Sequence, residues 1–119
     1  MNSISINGSI SSTIGSLVSR GDLNTFFTPT GSNVVSDAIN IGTDSYSGLP
    51  TSSLSDIRYT YFKNEGNGKV FLAKDSSGTN IISIMRVGDV ALIPMSGSNS
   101  LYAKAETSAS VLTMILNEN

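Results

Sequence analysis

The stretch whose reading decides the fold runs from Ile57 to Leu116: IRYTYFKN (57–64), EGNGK (65–69), VFLAK (70–74), DSSGTN (75–80), IISIMRV (81–87), GD (88–89), VALIPM (90–95), SGSNS (96–100), LYAKA (101–105), ETSA (106–109) and SVLTMIL (110–116). Apolar residues alternate at period two or form short runs of strand length. The gaps fill with Gly, Asn, Ser and Asp. No segment of ten or more residues keeps an i, i+3, i+4 apolar pattern, so little helix is expected. Short strands joined by turns at regular intervals predict an all-β chain, an antiparallel β-sandwich or jelly-roll-like single domain.

Within this stretch Asn67-Gly68 is the strongest hairpin signal, because both central positions of a type I′ turn need positive φ. It predicts an antiparallel pair of Ile57–Lys63 with Val70–Lys74. Ser77-Gly78 predicts the next hairpin, and Gly88-Asp89 and Gly97 close the remaining links. The expected core is Ile57, Tyr59, Tyr61, Val70, Leu72, Ile82, Ile84, Val90, Leu92, Leu101, Ala103, Leu112, Met114 and Leu116.

Upstream the pattern loosens. Ser3 to Ile6 alternates weakly, Asn7-Gly8 turns, and Ile10 to Val18 alternates again. Arg20-Gly21-Asp22 reads as a turn into Leu23–Thr28, and Pro29, Gly31 and Asn33 loop into a strand over Val34–Ile41. The connection from Gly42 to Ser55 predicts a short helical turn at Ser52–Asp56. The expected organisation is a loosely structured N-terminal arm or edge strand over residues 1–19, followed by the β-sandwich domain over 20–119.

Composition narrows the function classes. The 119 residues contain no His and no Cys, which removes the usual near-neutral general base, the commonest metal ligand and every thiolate nucleophile. A Ser-His-Asp triad needs a His, and no Gly-rich phosphate loop is present. The chain reads as non-enzymatic and without a cofactor or metal. Charged residues are 13% of the chain, against roughly a quarter in ordinary domains. Ser and Thr supply roughly another quarter, and such a hydroxyl-rich coat suits burial at interfaces, where a charge costs more to desolvate. The net charge of −2 and seven scattered basic residues argue against direct nucleic-acid binding. No apolar run is long enough for a membrane helix, and the N-terminus lacks the basic and apolar regions of a Sec signal.

Candidate contact residues are the aromatics. Tyr59 and Tyr61 share one strand face and make a small platform on which a sugar ring could stack. Tyr46 and Tyr102 are further candidates, and Phe26 and Phe27 join Tyr59, Tyr61 and Tyr102 as possible interface or glycan contacts. Arg20-Gly21-Asp22 spells an integrin-type tripeptide, for which a plain turn is the simpler account. The carboxylates are single and lie beside Gly, Ser or Asn, as turn-capping groups do.

The progression Asn40-Ile41-Gly42-Thr43, Leu54-Ser55-Asp56-Ile57, Tyr61-Phe62-Lys63-Asn64, a Gly/Asn turn and Asp75-Ser76-Ser77-Gly78-Thr79, then Val87–Pro94 and Leu101–Thr107, resembles small β-rich virion structural proteins of tailed bacteriophages. Val87–Pro94 resembles their hydrophobe-Pro-Gly-Glu element, with Val87 in place of the Pro and Asp89 in place of the Glu. The resemblance implies a capsid decoration or cement subunit that bridges neighbouring major capsid proteins and stabilises the head, or else a tail or fibre component. It further implies a symmetric homo-oligomer, a trimer in this reading, located in the virion and assembled in the host cytoplasm. A carbohydrate-binding module using Tyr59 and Tyr61 is the alternative from another class.

Overall fold

Among residues 3–95 and 100–118, which the computed structural model describes, every regular element is a strand. Contacts divide the chain into two units, Met1–Ser32 and Asn33–Asn119. The sequence boundary expected at residue 19 lies inside a strand.

The first unit is made of two ribbons. Strand β1 (Ile4–Ile6) pairs antiparallel with β4 (Thr25–Phe27), and β2 (Ser9–Ile14) pairs antiparallel with β3 (Leu17–Asp22). The alternation over Ile10–Val18 is therefore not one strand but two, reversed at Gly15-Ser16. Gly15 takes φ +61° there, and a two-residue loop with Gly first is the type II′ hairpin turn. Arg20-Gly21-Asp22, expected as a turn, is strand. Arg20 and Asp22, two residues apart, project to one side and pair at 3.1 Å.

The second unit holds eight strands: β5 (Val34–Ile41), β6 (Ser47–Gly48), β7 (Ile57–Asn64), β8 (Lys69–Ala73), β9 (Ile81–Met85), β10 (Val90–Pro94), β11 (Tyr102–Glu106) and β12 (Ser110–Glu118). They form two four-stranded antiparallel sheets, in the orders β10-β7-β12-β5 and β6-β11-β8-β9. The pairings nest. The first strand of the eight pairs with the last (β5·β12), the second with the seventh (β6·β11), the third with the sixth (β7·β10) and the fourth with the fifth (β8·β9). A long hairpin wrapped into two layers gives this order, which is that of a jelly roll.

Side chains from both sheets meet in one core that includes Ile41, Ile57, Phe62, Val70, Leu72, Met85, Ala103, Leu112, Met114 and Leu116, with Leu49, Leu54 and Leu101 closing it from the connections. Tyr59 and Tyr61, expected in that core, face outward. The cause is a bulge. Asn117 pairs with Tyr59 but Glu118 pairs with Ile57, so Arg58 is an extra residue. One inserted residue moves every later side chain to the opposite face. Ile57 points in, and so do Thr60, Phe62 and Asn64, while Tyr59, Tyr61 and Lys63 point out. Val90 and Leu92 pair with Lys63 and Tyr61 and so also face outward, leaving Ala91, Ile93 and Met95 for the core. Ile84, opposite Phe71 on the outer face of the second sheet, is likewise exposed, whereas Ile82 packs against the core edge.

The Asn67-Gly68 hairpin does not form. Both edges of β7 are taken, by β10 and β12, so residues 65–68 carry the chain across to the other sheet. Gly68 is needed for space rather than for φ: a Cβ there would lie 1.8 Å from the Ser108 carbonyl oxygen, and one on Gly66 would lie 2.2 Å from the Val111 nitrogen. The Ser77-Gly78 hairpin forms as expected between β8 and β9. Gly88-Asp89 lies on a second crossing between sheets, from β9 to β10, and Gly97 lies outside the described residues. Ser52–Asp56 holds no helix. Leu54 N–H donates to the Thr51 carbonyl at 3.0 Å, a single β-turn.

Candidate functional site

The two four-stranded sheets present two outer faces, and the tyrosine candidates are divided between them. On the first sheet, cross-strand rows set Leu92 beside Tyr61 and Ile115, and Pro94 beside Tyr59, with Asn117 and Val34 continuing that row. Tyr59 and Tyr61 are half-buried there, and Arg58 reaches over the Tyr59 ring at 5.5 Å from its centroid. The two rows give this face a largely apolar strip. Tyr102 lies on the other sheet, and Phe26 and Phe27 lie on β4 of the first unit. Within the second unit Tyr59 and Tyr61 therefore share no face with Tyr102.

A recess of about 300 Å³ opens on the outer face of the second sheet. Lys104 on β11 pairs directly with Phe71 on β8, and Glu106 with Lys69, so alternation puts all four side chains on one side. The loop after β5 closes the recess. The Gly42 carbonyl accepts the Ala105 N–H at 2.9 Å, which holds Thr43 and Tyr46 over the edge of β11. Tyr46 is seated against Gly78, where a Cβ would lie 2.2 Å from the ring. Thr107 completes the wall. It carries φ +69°, the one positive φ outside glycine among the described residues, in a side chain that strongly disfavours it.

Charge in and beside the recess is uneven. Lys69 Nζ lies 3.0 Å from Glu106 Oε2 and also stands 5.9 Å from the Phe71 ring centroid. Lys104 Nζ stands 5.9 Å from the Tyr46 ring centroid and has no carboxylate partner among the described residues. One lysine charge is thus neutralised and the other is open to a ligand. Of these residues, the sequence marks Tyr46 as an aromatic candidate and Glu106 only as one of the single, turn-capping carboxylates, and it does not single out Phe71, Lys104, Thr43 or Thr107 as contacts. The alternations Lys69-Val70-Phe71 and Lys104-Ala105-Glu106 do mark two outward faces, yet nothing local says that these faces are neighbours or that the Thr43–Tyr46 loop folds over them.

A third surface lies in the first unit. Every residue of β2 and β3 is exposed, including Ile10 at 66%, Ile14 at 74%, Leu17 at 73% and Val18 at 73%. Register places Ile10, Ile14 and Leu17 on one side, with Ser12, Ser19 and Gly21. Arg20, Asp22, Ser11 and Thr13 lie on the other, with Val18. Burying one such aliphatic side chain contributes ~1.5–3 kcal/mol, so four of them left this open forgo roughly 4–8 kcal/mol. An isolated two-stranded ribbon is marginal in water.

Comparison with protein-family models, with curated proteins and with solved structures gives no match.

Proposed function

We propose that this chain is a structural subunit of a viral particle, a capsid decoration or cement protein that binds its neighbours as a homo-oligomer. The observation that carries this reading is the β2–β3 ribbon. Its apolar side, formed by Ile10, Ile14 and Leu17, is left uncovered on a ribbon with too little burial to hold itself. A chain that leaves such a side bare gains by covering it with another subunit. The hydroxyl-rich, weakly charged composition supports the same reading, because Ser and Thr can be buried at a contact at smaller cost than Lys or Glu. Jelly rolls are common among viral capsid domains and among lectins, a fold-level analogy that agrees with the reading without deciding it.

The mechanism is bridging. Each copy lays its ribbon and the outer face carrying Tyr59, Tyr61, Leu92 and Ile115 against adjacent shell proteins, so that separating them exposes apolar surface to water. The test uses shells of the tailed phage that encodes the chain, stripped of it and mixed with the purified protein. Uptake to a fixed number of copies per shell, with a raised disruption temperature, is the expected result. Protein left in the supernatant, with shells unchanged, contradicts the proposal.

A further inference from the structure

We propose that the recess on the outer face of the second sheet binds an acidic pyranose sugar, with the ring lying against Phe71 and Tyr46 and its carboxylate at Lys104. This site shares no residue with the ribbon or with the first sheet's outer face.

Three features point the same way. First, the recess of about 300 Å³ is at the lower end of the size of small-molecule pockets, enough for one or two sugar rings. Second, its walls combine what a pyranose presents. The C–H faces of the ring are apolar and slightly positive, and they pack well on the negative faces of aromatic rings. The rim offers the hydroxyls of Thr43 and Thr107 and the Glu106 carboxylate, which can pair with sugar hydroxyls. Third, the charge is selective. Glu106 is held by Lys69 at 3.0 Å, whereas the Lys104 ammonium meets only the Tyr46 ring among the described residues. Lys69 and Lys104 against Glu106 leave one positive charge, and a carboxylate on the ligand would compensate it.

The walls are also preorganised. Tyr46 is fixed against Gly78, Phe71 sits in a central strand of its sheet, and the Ala105–Gly42 hydrogen bond anchors the loop. Thr107 keeps a disfavoured backbone conformation at the rim, a kind of strain that gathers at ligand sites.

The experiment is an NMR titration of the full-length ¹⁵N-labelled chain with sodium glucuronate, methyl glucoside and sodium acetate in parallel. Glucuronate is expected to give saturable shifts at millimolar concentration, confined to the amides around Thr43, Tyr46, Phe71, Ala105 and Thr107. The glucoside is expected to bind about fivefold more weakly, as loss of one partly screened charge contact implies. Lys104→Gln should bring the two sugars to within twofold of each other, and its outward-facing stem leaves the rest of the spectrum in place. Phe71→Ser should weaken both sugars about tenfold, the spectrum reporting directly on whether that variant is folded. No saturable shifts with glucuronate, equal binding of glucoside and glucuronate, or the same shifts from acetate alone would each overturn the proposal.

Discussion

Asn64 on β7 donates from Nδ2 to the carbonyl oxygen of Met85 on β9 at 3.0 Å, a hydrogen bond between the two sheets made inside the core. The same nitrogen donates to the Gly68 carbonyl at 2.7 Å. Asn64 Oδ1 accepts from the Ser110 hydroxyl at 2.5 Å and from Gly66 N–H at 3.3 Å. Both donors and both acceptor positions of the amide are used, which is what makes a fully buried Asn tolerable. It gathers the ends of β7, β9 and β12 and the 65–68 crossing at one point.

Asn64→Leu keeps the branched outline of the side chain, adds bulk, and abandons the Ser110 hydroxyl and the Gly68 and Met85 carbonyls. Unfolding in urea should show a loss of about 3 kcal/mol, since each buried polar group left unpaired costs ~1–3 kcal/mol. A variant as stable as the parent would show that the amide is not the clasp described.

Gly68→Ala should be costly although its backbone conformation is ordinary, because the new methyl meets the Ser108 carbonyl oxygen at 1.8 Å. A loss of about 2 kcal/mol or more in the same measurement is expected. A hairpin turn at Asn67-Gly68 would instead tolerate Asn there, and Gly68→Asn should be at least as damaging as Gly68→Ala.

The Arg58 bulge sets which face of β7 is core. Phe62→Ala should cost about 3–5 kcal/mol, as large-to-small changes at fully buried aromatics do. Tyr61→Ser should cost under about 1 kcal/mol. The reverse order would mean that the register at Asn117 and Glu118 is misplaced.

Much of the architecture is legible along the chain, and the losses have local causes. Val34–Ile41, expected as a strand, is a strand with those bounds, even though Asp37 breaks the apolar series of Val35, Ile39 and Ile41. Leu112, Met114 and Leu116 alternate through an unbroken register and are buried as expected. A bulge leaves no trace in composition, so simple parity puts Tyr59 and Tyr61 in the core with Ile57. Which edge a strand uses is settled by its competitors, and so the Asn67-Gly68 hairpin yielded to β10 and β12. The recess is a product of tertiary approach. Tyr46 reads as a loop aromatic until Gly42 is tied to Ala105 and Gly78 makes room for the ring.

Acid titration gives a further check. The Asp75 carboxylate accepts from the Ser77 hydroxyl at 2.6 Å and from the Asn80 and Thr79 amides at 3.0 and 3.2 Å, and these bonds bring its pKa down from 3.8 to about 2. A lowered carboxylate pKa supports the folded state above the ordinary value and loses that support as pH falls through the folded one. Asp75 side-chain NMR shifts should therefore titrate near pH 2. The Ser77→Ala variant should titrate closer to 3.8, and an unshifted midpoint in the parent would contradict the turn geometry. Glu65, lowered chiefly by the Thr113 hydroxyl with help from Lys63, should rise towards its ordinary pKa in Thr113→Val.

As a structural subunit, this chain is proposed to use its exposed apolar side chains on contacts with other subunits. Sedimentation equilibrium of the full-length protein, alone and with Ile14→Asp and Leu17→Asp combined, tests it most directly. The parent should sediment at a small integer multiple of its 12.4 kDa chain mass, and the double variant as a folded single chain. A parent that stays monomeric at every accessible concentration, or a double variant that assembles as the parent does, contradicts the claim.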